Sequence, residues 1–263
     1  MKFLDAFKPF AMISRNTLRI VAFGCAALAI LVWYTGAPSV IPRPFEVIQA
    51  FKRLWFEEGL SRDLGSSLYL NVEALFWTAL ISLTLSYLVI VPFFRPLVVF
   101  FSKLRFLGPT GVVFIFTLIV GGGHPLKVWM LVFGMSVFFV TSMATVVLSV
   151  SEDELNHART LRMSEWRVAW EVIILGTRAR AFEVFQDVAA MGWMMLTMVE
   201  GLSRSEGGLG AVLLNQNKRL RLDSVFAVMT LVVIIGLLQD VLIGKARRWA
   251  CPYADLRLAR RAS

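Results

Sequence analysis

Charge-free apolar runs occupy 20–37, 74–94, 106–123 and 128–150, and a shorter one at 224–239 extends past Asp240 to about 244. Each approaches the ~20 apolar residues that a helix needs to cross a bilayer. A sixth candidate, 181–201, contains AAMGWMMLTMV but also Glu183, Gln186, Asp187 and Glu200. A span that faces other helices or water tolerates such groups. Between the first two runs, PFEVIQAFKRLWFEEG places Phe45, Ile48, Phe51 and Trp55 near one helical face, with Glu46, Lys52 and Arg53 elsewhere. That pattern suits either a helix lying in the outer membrane interface or a connector packed on neighbouring spans. The expected fold is an all-α membrane protein with six transmembrane helices.

Composition agrees with the pattern. The chain is 263 residues long and 57% hydrophobic, with a mean hydropathy of +0.70, too apolar for an ordinary soluble domain. The first 37 residues imitate a secretion signal, but the charged start is long and the apolar run is of bilayer depth, which favours an uncleaved span. Net charge is +9, which raises nucleic acid as a partner until the basic residues are located. With both termini on the cytoplasmic side, two thirds of the 27 Lys and Arg fall in cytoplasmic segments. They are Lys2, Lys8, Arg15 and Arg19; Arg95, Lys103 and Arg105; five arginines between Arg159 and Arg180; and six residues from Lys245 to Arg261. Such a bias is an orientation signal. No nucleic acid is expected, and lipid is the surrounding partner.

One charged segment interrupts this regularity. SEDELNHARTLRMSEW, 151–166, follows 23 uncharged residues. Ser151 and Glu154 have capping-box spacing, Glu152 and Asp153 suit the positive end of a helix, and Ser164 with Glu165 begins a second start. Two short helices are therefore expected, broken near Arg162 and Met163. Apolar Ala158, Leu161 and Met163 among polar neighbours fit a plug for a partner's groove; a solvated connector fits the same pattern.

Residues 156–164, NHARTLRMS, resemble the EAA loop of binding-protein-dependent ABC importer permeases, roughly E-A-A-R-T-L-G-A-S. Ala158, Arg159, Thr160, Leu161 and Ser164 match. Asn156 stands at the acidic position, His157 at the first alanine, Arg162 at the glycine and Met163 at the last alanine. Leu175 replaces the proline that ends the following I-x-L-P. Further stretches are similar to the nitrate/sulfonate/taurine branch: IPRPFEVIQAF, SRDLGSSLYLNV, Trp193 and Glu200 followed by GGLG at 207–210, and LDSVFAVMTLVVIIGLLQD. The resemblance implies a type I importer permease with a second permease subunit, of the same or a different chain. It also implies ABC ATPase subunits beneath and an external solute-binding protein. Asn156 to Ser164 would then form the ATPase-coupling helix, with Arg162 taking a positive φ or the break shifting by a residue. The organisation expected is 1–66 (N-terminal segment, first span, outer helix), 67–250 (five spans with the loop at 151–180) and 251–263 (basic tail).

No catalytic chemistry is expected in the chain itself. GGGHPLK lacks the phosphate-loop spacing, so ATP hydrolysis belongs to a partner. His124 and His157 fall at opposite membrane faces, no Cys/His cluster suggests a metal, and Cys25 and Cys251 are expected to be free. No cofactor is implied. Glu183, Gln186 and Asp187 share one helical face at i, i+3, i+4. They either line an aqueous solute pathway or form a salt-bridged, snorkelling helix start near Arg178 and Arg180. Glu73 is expected at the outer interface. Met191, Met194, Met195 and Met198 read as adaptable packing, with solute contact as the alternative. Two other functions remain: a proton-coupled secondary transporter using Glu183 or Asp187, and a membrane scaffold that recruits an ATPase without transporting.

Overall fold

A computed structural model describes residues 15–36, 41–203 and 207–252. Lys2, Lys8 and the tail arginines Arg257, Arg260 and Arg261 lie outside the described residues. Every regular element among those described is helical.

Helix α1 (Arg15–Gly36) carries exposed apolar side chains, Phe23, Leu28 and Leu31 among them. It is tied down at its far end, where the Trp33 indole N–H donates to the Pro42 carbonyl at 3.1 Å. Helix α2 (Pro44–Phe56) starts with proline in its first turn, and the Glu46 carboxylate accepts the Arg43 N–H at 2.9 Å. Val47, Ala50 and Leu54 are buried while Phe45 and Ile48 point outward. One side of α2 thus packs on neighbours and the other offers apolar surface.

Helix α3 (Leu60–Leu88) is continuous over 29 residues and ends before Pro92, which cannot extend it. Its buried stripe of Ser67, Asn71, Ala74, Thr78, Ser82 and Ser86 is small and mostly polar. Small residues let helix backbones approach closely in lipid, and α3 uses this stripe to pack on the central helix α6 (His124–Leu148). Met130, Met135, Phe139, Val140 and Met143 of α6 are essentially inaccessible. The apolar stretch of α6 is 61% buried, against 17% for the last helix, α11 (Leu222–Ala250). So α6 is the core, and α11 leaves most of its apolar surface for lipid or another subunit.

The expected span at 106–123 is realised differently. Helix α4 (Arg95–Lys103) leads through one 3-10 turn (Leu104–Phe106) into α5 (Pro109–Val120), and the pair bends by 118°. Gly108 is extended and Pro109 opens α5, so no single helix can run through. At 12 residues α5 is about 18 Å long, short of the hydrocarbon depth. Among the described residues three helices qualify as spans by length and apolarity, α3, α6 and α11, and a fourth if α4 and α5 count as one bent crossing. Helix α9 (Gly176–Leu202) is long enough at 27 residues, but its polar groups keep it outside that set. The expected count of six is therefore not confirmed by the length and composition of the described helices.

Candidate coupling loop and fifth-span site

The segment after α6 forms the two expected short helices. Ser151 is extended and its hydroxyl accepts the Glu154 N–H at 3.3 Å, opening α7 (Glu152–Thr160) with three acidic residues in the first turn. At the other end the Met163 N–H reaches the Ala158 carbonyl at 3.5 Å and the Arg162 N–H reaches the Arg159 carbonyl at 2.9 Å. This is a Schellman C-cap, whose left-handed residue is usually glycine. Arg162 occupies that position with φ 58°, a conformation costing a non-glycine residue on the order of 1 kcal/mol. The break falls at Arg162 itself. Ser164, extended again, opens α8 (Glu165–Val168), and a π-helical turn (Ala169–Leu175) joins it to α9.

Side chains lock the two helices together. The Arg159 guanidinium grips Glu165 with two bonds, 3.0 and 3.1 Å, and donates a third to the side-chain amide oxygen Oδ1 of Asn156 at 3.1 Å. Bidentate geometry of this kind fixes orientation as well as distance. The hydrogen bonds and charge of Arg159 hold the Glu165 carboxyl below its ordinary pKa, and Glu165 raises Arg159 in return. Glu171, bonded to Arg167 at 2.8 Å, likewise raises that guanidinium. Thr160 donates its hydroxyl to the His157 carbonyl at 2.6 Å. Ala158 is buried and Met163 half-buried, so these two anchor the loop inward. Asn156, His157, Arg159, Thr160, Leu161, Arg162 and Ser164 are exposed. Leu161 (61%) and Trp166 (78%) present apolar surface at the loop's tip. Behind α7 lies a cavity of about 450 Å³, with Glu154, His157 and Leu161 on one wall and Glu171, Thr177 and Arg180 on the other.

Helix α9 carries the other candidates, and its neighbours separate them. Glu183 pairs with Arg247 of α11 at 2.9 Å. The Gln186 amide donates to Asp240, also on α11, at 2.6 Å. Further out, the Trp193 indole donates to Gln239 at 3.0 Å. Three polar rungs thus join α9 to α11, and the cation at Glu183 is Arg247 of α11. Asp187 is exposed on α9 and has no partner among the described residues. Lone carboxylates at a bilayer centre cost about 2.5–3.5 kcal/mol even on lenient scales, so this side chain requires water or a partner group. Met191, Met194 and Met198 are exposed on the same side of α9, whereas Met195 is buried. Met195 packs within the chain, and the other three side chains face out of it.

No protein-family model and no curated protein matches the chain. Among solved structures, it is similar to the permease component of an inward-facing MetNI methionine ABC transporter. The TM-score is 0.58 at 16% identity, over 75% of this chain and 97% of that one. The fold is that of an ABC importer permease.

Within this permease fold the structure assembles one constellation that sequence reasoning registered only as scattered resemblances. Glu200 is 1% exposed near the far end of α9. Its carboxylate accepts the Ser67 hydroxyl at 2.6 Å and the Gly210 N–H at 2.8 Å. Ser67 in turn accepts the Leu209 N–H at 2.9 Å, Asp63 accepts the Gly208 N–H at 2.9 Å, and buried Lys127 donates to the Gly207 carbonyl at 3.1 Å. These groups clamp the GGLG turn and the start of α10 (Leu209–Lys218) to α3, α6 and α9. A Cβ on Gly208 would fall on the Glu200 carboxylate, and one on Gly210 on the Thr197 backbone. The available signal was an acidic residue seven positions before a glycine-rich turn that needs N–H acceptors. The GGGHPLK stretch serves as the entry to α6, with Gly121 and Gly123 at positive φ. There His124 meets Glu73 at 2.8 Å and stacks on Tyr69. Cys25 and Cys251 are free.

Proposed function

We propose that the chain is the transmembrane permease subunit of an ATP-driven importer, coupled to a separate ATPase through 151–166. The observation that carries this is the loop itself. It is a short helix, capped at both ends and braced by Arg159–Glu165, that leaves Leu161 and Trp166 exposed on a permease fold. Such a body can pass a displacement into α9, which follows directly through the π turn. The complex comprises two permease subunits, ABC ATPase subunits and an external solute-binding protein, in a bacterial-type inner membrane. Six crossings with both termini in the cytoplasm, and the nitrate/sulfonate/taurine-type branch, belong to the same proposal. Hydrolysis takes place on the ATPase, and Asp187 lines the solute pathway.

The test is Leu161→Asp. A charge inserted into a partner's apolar groove costs several kcal/mol unless paired, so ATPase co-purification should be lost while membrane insertion stays normal. Retention of the ATPase at wild-type stoichiometry would overturn the coupling role. A proton-coupled secondary transporter would co-purify with no ATPase at all, and a scaffold would recruit one without solute-stimulated hydrolysis in liposomes.

A further inference from the structure

The exposed side of α9 is a single stripe with two chemistries. Glu183 and Asp187 occupy its inner half, and Met191, Met194 and Met198 follow at helical spacing toward the outer end. Glu183 is neutralised by Arg247. Asp187 is not, and it sits about 17 Å along a helix of about 40 Å, inside the apolar depth on the proposed six-crossing topology. The polar groups that could have masked it are committed elsewhere: Gln186 to Asp240, Gln239 to Trp193 and the Ala189 carbonyl, Arg180 to Ser149. A negative charge left bare among thioethers selects for its complement. An inorganic oxyanion or a sulfonate meets repulsion there, whereas a positively charged organic solute meets a counter-charge and soft apolar surface together.

We infer that the transported solute is an organic cation with an apolar body, engaged by Asp187 through charge and by Met191, Met194 and Met198 through contact. The inference rests on the pathway reading of α9 given above, and it names a solute class that the branch resemblance leaves open. The stripe's occupant is the solute; packing against a second permease subunit is the alternative outcome of the test.

The probes are methanethiosulfonate ethylammonium and methanethiosulfonate ethylsulfonate, which differ in charge but not in chemistry at the thiol. They are applied to both faces of native membranes holding Met191→Cys, with Cys25 and Cys251 replaced by alanine. Position 191 lies one turn from Asp187, about 5–6 Å away. One charge at that distance in water favours the cation and disfavours the anion enough to shift their rate ratio by about tenfold. Both reagents should react, and Asp187→Asn should lower the cation-to-anion ratio by about that factor. A ratio unchanged by Asp187→Asn overturns the cationic solute and leaves the pathway reading standing. No reaction with either reagent shows a stripe closed by protein, and overturns both.

Discussion

Removing the Glu200 carboxylate tests whether the GGLG turn is held as described. In Glu200→Ala the Ser67 hydroxyl and the Gly210 N–H, bonded at 2.6 and 2.8 Å, both lose their acceptor in a site closed to water. A buried donor left without its acceptor costs about 1–3 kcal/mol. Two of them give roughly 3–5 kcal/mol after partial rearrangement. For a chain of this size each kcal/mol corresponds to about 2–4 °C in Tm, so the expected loss is roughly 10 °C. Heating the detergent-solubilised protein and measuring the monodisperse fraction would give that value. Glu200→Gln keeps one acceptor of similar shape and should fall between the two. Gly210→Ala offers an independent route, because its Cβ must displace the Thr197 backbone while every carboxylate stays in place. A melting point for Glu200→Ala within about 2 °C of wild type would refute the clamp, because that shift equals less than one kcal/mol.

Two further outcomes concern the loop. Arg162→Gly removes the strain of a side chain at φ 58° but frees the unfolded chain by about 0.4–1 kcal/mol. These effects nearly cancel, so stability should change by less than about 1 kcal/mol with ATPase binding retained; a larger loss would mean the Arg162 side chain itself is a contact. Glu165 has its folded pKa depressed by Arg159. Its contribution is therefore fully present above the ordinary carboxylate value and disappears as pH falls through the depressed one. Amide exchange in α7 and α8 should accelerate in that acid window in the wild type, and Glu165→Gln should abolish the step.

Much of this architecture is visible in the sequence because lipid imposes a simple rule: an apolar run must become a helix with its backbone satisfied. Helices α3, α6 and α11 follow from it, and so does the loop, since Ser151, the acidic first turn and Ser164 are local capping signals. The bend at Gly108 and Pro109 was equally local, yet an uncharged run passes straight across it, and hydropathy does not register a change of direction. Side-chain pairing was less legible. Which cation meets Glu183 depends on α11 packing beside α9, a contact between residues some sixty positions apart. The same holds for Glu200, whose partners come from α3 and the turn before α10. Spacing on one helix shows which groups share a face, whereas the facing helix decides which of them are neutralised.

A final consequence follows from the length of α9. The helix runs unbroken for 27 residues, about 40 Å, from the π turn beside the loop to the clamp around Glu200. A rigid rod of that length tilted by about 5° at its inner end sweeps its outer end through roughly 3 Å. That distance exceeds the slack of a hydrogen bond. So either the bonds from Glu200 to Ser67 and Gly210 break with each stroke, or α10 and the outer part of α3 travel as cargo on the same lever. On the second alternative, a push on the loop at 151–166 is felt at the far end of α9 without any intervening signal passing from residue to residue.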